Sequence, residues 1–435
     1  MKGVFNLFPG LVILLLSTIL AACGKGDDYV TPPEIEILLP YDGKAYGYGD
    51  TIHLQAELNH YKVIQYVRVS LLSVSNIPVL PARNFDVNEY NYLLSASIPL
   101  DDPQMVNGTY YIQVRVGDGE SESAESVKVQ YSALERALVS VLAVGKLSVS
   151  EYAVSEWPVT GQLSERFRFQ GDYSGAAISS VNRQLYTAGR ITGDLQAWNL
   201  AGNRTDWTVQ AIVNPPLEYF YHLYSDENEV FVSDRDGYIR GYTAEGLVSF
   251  RSQAFPNGKF TRFVRLSNWL IAVFEPFNGV LNELIIFNYP GGTVFRQVQF
   301  QGGAVHLCPD GNEGVLIFLN GDATSAVYRF SVPENTMVEL RRFPFSYISK
   351  VTGPSGGNCF IASGNELWWY RPATGSTVRY LTFDEIDAVQ YDALSGKVFI
   401  ASGNNIVTYR IPDQVSTGNV AVQGETADLL LLYNR

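Results

Sequence analysis

Cysteine and histidine are scarce in this chain: three Cys and four His among 435 residues. That leaves little material for a Cys/His metal cluster or a cysteine catalyst, and no cofactor is expected. Charge is also thin, at 17%, and its balance is acidic, with a formal net charge of −13. Affinity for phosphate backbones comes from clustered Lys and Arg, so a nucleic-acid partner is excluded. Apolar runs are short, and the longest, Leu11–Leu16, falls well below what a membrane-spanning helix needs. What is abundant is aromatic: Tyr, Phe and Trp make up 13%, with 38 Gly and 20 Pro spread between them. Wholesale disorder is thereby excluded, and many short strands joined by turns are favoured.

The N-terminus reads as an address. Lys2 supplies a positive start, Leu11–Leu16 an apolar core, and Leu20-Ala21-Ala22-Cys23 a small-residue cleavage site. These four residues resemble the bacterial lipobox. The resemblance implies cleavage before Cys23, lipidation of its sulfur and acylation of the new amine, which together hold a protein on a membrane. Gly24-Lys25-Gly26-Asp27-Asp28 is similar to the export signal of surface lipoproteins in Bacteroidota. It implies an outer-membrane anchor facing the cell surface, with the periplasmic face as the alternative. Residues 1–22 are then signal peptide and 23–31 a tether, and processing removes only Lys2 among the charges.

From Pro32 to Tyr131 short alternating stretches recur, among them Thr51–Ala56, Val67–Leu71, Tyr110–Val116 and Val127–Val129. About seven strands in about 100 residues without paired Cys predict an immunoglobulin-like β-sandwich over 32–131. Asp42-Gly43, Gly49-Asp50 and Asn107–Tyr111 resemble PKD-like domains of bacterial surface proteins.

The remainder, 134–435, repeats. Seven segments end in an aromatic, at Tyr152, Trp198, Tyr242, Phe287, Phe330, Tyr370 and Tyr409, at intervals of 46, 44, 45, 43, 40 and 39 residues. Each follows an apolar strand such as EVFVSDR, WLIAVFE or KVFIASG. A four-stranded propeller blade takes about 40–45 residues. The spacing predicts a seven-bladed β-propeller, so the fold class is all-β. The first blade lacks an inner strand, and Ala427–Tyr433 supplies one that would pair with Leu138–Gly145 and close the ring. This closure is similar to that of WD-type and YVTN-type propellers, although the WD and GH dipeptides are absent.

Six inner-strand residues line up as a polar ring: Ser180, His222, Arg265, His306, Lys350 and Gln390. Such a ring is basic within an acidic protein and would focus an anion such as a uronate, sulfate or carboxylate; the alternative is a polar axis satisfied by neighbouring blades and water. Two imidazoles without an accompanying carboxylate make a poor zinc site. Some seven-bladed propellers are polysaccharide lyases, and His222 with Tyr224, or His306 with Arg265, fits that chemistry. No nucleophile elbow, H-E-x-x-H or P-loop occurs. Asp234–Gly237 and Asp310–Glu313 resemble pieces of calcium loops, but neither completes the twelve-residue spacing and both read as hairpin turns. Trp368 and Trp369, on opposite faces of one strand, fit packing between blades. Cys308 and Cys359 fall in successive blades, and their pairing is left open. The expectation is a non-enzymatic binding or scaffold lipoprotein for a glycan or an outer-membrane protein, with an accessory role in nutrient uptake. A polysaccharide lyase or hydrolase and a structural envelope component are the alternatives.

Overall fold

The computed structural model describes residues 31–211, 217–226, 228–354 and 356–435. The lipobox, Cys23 and the export signal lie outside the described residues. The chain divides into two compact units, one ending at Glu135 and one spanning Arg136–Arg435.

The first unit is built from β1 (Glu34–Leu39), β2 (Lys44–Gly47), β3 (Thr51–Ser73), β4 (Arg83–Pro99), β5 (Gly108–Gly117) and β6 (Glu122–Ser132). They form one hydrogen-bonded sheet in the order β1-β3-β5-β6-β2, with β4 also on β3 and β2 running parallel to β6. The stretches Thr51–Ala56 and Val67–Leu71, separate in the sequence reading, belong to one 23-residue strand, β3. Ile52, Leu54, Ala56, Leu58 and His60 are buried on even positions, then Ile64, and then Val67, Val69 and Leu71 on odd ones. The parity flips where the β3–β4 register shifts between Asn59 and Tyr66. A bulge that inserts residues turns the strand's apolar face over without ending the strand. β4 runs along one edge of β3 while β1 and β5 share the other. At the β5–β6 turn, the Asp118 carboxylate accepts backbone N–H bonds from Glu120 (2.8 Å) and Ser121 (2.6 Å) and meets His60 Nε2 at 2.8 Å. Both His60 and Asp118 are buried.

The second unit contains seven four-stranded antiparallel sheets. We number the blades along the chain: blade 1 comprises 138–170 with 425–433, and blades 2 to 7 comprise 175–209, 220–251, 258–300, 303–342, 350–382 and 388–421. The innermost strand of each sheet contacts those of both neighbours, and the contacts return from blade 1 to blade 2, so the ring is closed. Sequence dictates the layering. The second strands are largely apolar and buried on both faces, completely so in Gln184–Ala188 and Val230–Asp234, where the few polar side chains are buried too. The outer strands alternate, as in Val294–Phe300, and give one face to solvent. In all seven blades a register shift interrupts the pairing of the third and fourth strands, adding local twist.

Blade 1 departs from the repeat as read. The residue paired with its second strand at the common position is Trp157, opposite Val141, whereas Tyr152 pairs with Lys146 near the start of the strand. Trp157 stands 41 residues before Trp198, so the true period is more regular than the sequence spacing implies. Tyr152 itself packs among aromatics, against Phe169 and Tyr173.

The chain's end supplies the inner strand of blade 1. Glu425–Tyr433 pairs antiparallel with Leu138–Lys146, setting Leu430 opposite Leu142 and Leu432 opposite Ser140. Leu429, Leu430 and Leu432 are buried, and each contributes roughly 1.5–3 kcal/mol of apolar burial. Asn434 and Ala137 exchange two hydrogen bonds just beyond the pair, at 2.9 and 3.0 Å.

Candidate functional site

The inner strands of a propeller converge on its axis, and their pairing with the second strands fixes which residues share a level. In every blade one second-strand residue lies opposite the third-strand aromatic: Val141, Leu185, Val230, Leu270, Val315, Cys359 and Val398. Three residues further along the second strand, the inner-strand partners are Asp428, Gly175, His222, Arg262, His306, Lys350 and Ala388. Four of the seven follow a register shift in the inner strand, after Phe220, Phe260, Ala304 and Thr426. All seven line one axial cavity of about 620 Å³.

The structure therefore brings His222, His306 and Lys350 to one level, with Gln390 in the same cavity two residues along its strand. Ser180 and Arg265 stand elsewhere, which corrects the ring as read. Ser180 Oγ accepts the Tyr433 N–H at 3.0 Å, stitching blade 2 to the closing strand. Arg265 pairs with Asp226 and with Glu229 (3.3 Å), and its guanidinium lies 4.1 Å from the Tyr289 ring centre. The pairing places Arg262, three residues before Arg265, at the axial level. Asp428 joins this level from the closing strand, where it precedes a run of four leucines.

The ring is one-sided. Blades 3 to 6 contribute His222, Arg262, His306 and Lys350 in succession; blades 7, 1 and 2 contribute Ala388, Asp428 and Gly175. Arg262 donates through its guanidinium to the carbonyls of Val305 and Thr261, which tethers it across to blade 5. His222 is enclosed against the Phe263 ring at 4.9 Å. Burial, reinforced by the charges of Arg262 and His306, pushes its imidazole well below the ordinary value, so it is neutral at neutral pH. Asp428 accepts the Tyr173 hydroxyl at 2.6 Å. Burial raises its carboxyl above the usual range, against the opposing pull of Lys350. Gln390 Oε1 accepts from Thr352 Oγ1 at 3.1 Å.

Cys308 lines the same cavity, and Cys359 lies in the same apolar cluster from the next blade. Both thiols are free and buried, with Sγ to Pro354 O at 3.6 Å and to Gly357 O at 3.4 Å. The hydrogen bond they share lowers the Cys308 thiol, with help from His306, and raises that of Cys359.

The calcium-loop fragments are turns. Asp234 accepts from the Asp236 N–H and from Arg240, and Gly237 takes a φ of 81° that suits glycine. Asp310 opens a similar turn and holds Arg329. Among the described residues no group of three or more His, Cys, Asp or Glu is arranged to hold a metal. Trp368 packs near Phe345 in the cluster between blades 5 and 6, and Trp369 stacks on Phe360 in the next cluster along. A second cavity, about 300 Å³, lies at the closure between blades 7 and 1, bordered by Trp157, Phe399 and Lys397.

No protein-family model matches the chain, and no curated protein matches it. Solved structures do. A protein from Lactobacillus plantarum is similar at 12% identity and a TM-score of 0.52, covering 68% of this chain and 100% of that one. The Dos1 propeller gives 12% identity and a TM-score of 0.46 over 68% and 88%. BamB from Moraxella catarrhalis gives 11% and 0.44 over 68% and 95%. At such identities the likeness is one of fold alone; that this fold is a β-propeller is read from the seven four-stranded sheets and their closed ring.

Proposed function

We propose that this protein is an outer-membrane lipoprotein, anchored through Cys23 and facing the cell surface, that binds a glycan or protein partner with its propeller and catalyses no reaction. The immunoglobulin-like reading of the first unit makes it a spacer in the sequence between lipid and propeller. An accessory role in nutrient uptake is supported by the resemblance of this composition to accessory lipoproteins of Bacteroidota uptake systems. The axial cavity carries the binding reading. Its polar groups face a space of about 620 Å³, a size suited to a small ligand or a partner's side chains. The lyase reading draws its support from a neutral His222 beside Arg262, a base next to a cation. Against it, Arg265, one of the residues it needs, is already paired with two carboxylates.

The test is affinity capture from native outer membranes with the full chain, followed by identification of what co-purifies. Recovery of a barrel transporter is expected, and Cys23→Ala should abolish both palmitate incorporation and membrane retention. Recovery of secretion or motility components alone would refute the uptake role. Release of oligosaccharide from acidic glycans, lost in His222→Ala and His306→Ala, would establish the enzyme reading instead.

A further inference from the structure

We infer that the axial cavity is a binding site for a hydroxylated carboxylate of sugar-acid type, its carboxylate held by Arg262 and Lys350 and its hydroxyls by the polar groups around them. The inference rests on the binding reading above and specifies the ligand class.

The charge inventory of the propeller supports it. Arg240, Arg265 and Arg329 each meet a carboxylate, at Asp234, Asp226 and Asp310. Neither cation of the axial ring is in a salt bridge among the described residues, a state they share with Arg251, Arg296 and Lys397. Lys350 acts at longer range on Asp387 and Asp428, and Glu275 on Arg262. What sets the two apart is that both line one axial cavity. The Lys350 side chain forms no ion pair and no hydrogen bond among the described residues, and it is exposed to the cavity. Arg262 spends two of its N–H groups on the carbonyls of Val305 and Thr261, and its remaining donors have no partner among the described residues. Those carbonyl bonds fix the guanidinium plane, so little freedom is lost when an anion docks. The carboxylate at this level, Asp428, already accepts from Tyr173.

Shape and polarity narrow the class. The four nitrogen-bearing side chains occupy one arc, and Gly175 and Ala388 leave the opposite side open, flanking Asp428. A ligand therefore meets donors on one side and an acceptor across the axis. A bare inorganic anion would satisfy the arc and leave most of about 620 Å³ to water. An ammonium compound would meet Arg262 and Lys350 as like charges. A sugar acid fits both sides, with its carboxylate on the cations and its hydroxyls toward Asp428, His306 and Gln390. Fixed charge-assisted hydrogen bonds of this kind are the strong ones.

Isothermal titration of the detergent-solubilised full chain with D-glucuronate, D-glucose and sulfate tests it. Glucuronate should bind, with glucose and sulfate each at least about tenfold weaker, as expected when one charge-assisted contact or the hydroxyl contacts are missing. Lys350→Met should weaken glucuronate by about tenfold, and Lys350→Arg should restore it. Lys350 is exposed and unpaired, so neither variant threatens folding. Equal affinity for glucose and glucuronate, sulfate binding as tightly, no heat with glucuronate, or indifference to Lys350→Met would each overturn the assignment. None of these outcomes alters membrane capture, so failure here is distinguishable from failure of the binding reading itself.

Discussion

Two aspartates with opposite shifts show how burial and backbone donors compete for a carboxylate. Asp234 is buried, and burial outweighs Arg240, so its carboxyl is pushed up to about 6 from 3.8. The folded state therefore holds this proton more tightly than the unfolded chain. Its contribution makes the propeller less stable as pH rises from about 3.8 to about 6, and flat above that. Carbon-detected NMR of the Asp234 carboxyl should show a midpoint near 6, and Asp234→Asn should remove that slope from the pH dependence of unfolding. Asp118 runs the other way. The Ser121 and Glu120 N–H groups, with His60, hold its carboxyl well below 3.8 despite burial. Its stabilisation is full above that value and is lost as pH falls below it. Asp118→Ala should cost about 1–3 kcal/mol by leaving His60 and two N–H groups without their partner, read as a lower urea midpoint for the first unit. Among the thiols, Cys308 should be alkylated before Cys359. It borders the cavity and its thiol is the lowered one, an order that peptide mapping after iodoacetamide can check.

At the scale of elements, burial and strand pairing decide what the sequence shows and what it hides. Apolar periodicity marks the second strands clearly because they are buried on both faces. The third-strand aromatics of blades 2 to 7 are equally plain, whereas in blade 1 Tyr152 masks Trp157, which holds the common position. The inner strands are harder to read. Four of them carry register shifts, at Tyr221, Thr261, Val305 and Ala427, but these do not decide which were legible. His222 and His306 follow such shifts, while Ser180 lies off the axial level in a blade whose inner strand has none. His222, His306 and Lys350 were legible. Arg262 was missed by three residues, and Asp428 lay just before a run of four leucines. In the first unit the same device joined two apparent strands into β3. The closing strand is the element on which the ring depends. Leu432→Ala should cost about 2–5 kcal/mol, seen as a fall in the denaturant midpoint with the slope unchanged. Gly424→Ala should add strain, because Gly424 has a φ of 75° and an added Cβ would meet the Lys146 carbonyl. Removing 425–435 should expose the edge of Leu138–Lys146 and drive aggregation rather than leave an open propeller.

For the whole molecule, seven repeats of one motif place seven inner strands around one axis, and the differences between repeats give that axis its chemistry. Blade number was legible in the sequence because it depends on spacing alone. The polarity of the axis was not, because it depends on which residue of each inner strand faces the cavity, and that is set by the strand pairing rather than by spacing. The outcome is a closed propeller with unpaired cations on one arc and small residues with a carboxyl on the other. A crystal structure of the full chain soaked with glucuronate tests this most directly. The account predicts difference density on the axis, with the carboxylate within hydrogen-bonding distance of both Arg262 and Lys350. Ligand density at the closure cavity beside Trp157 and Phe399, with only water between Arg262 and Lys350, would contradict it.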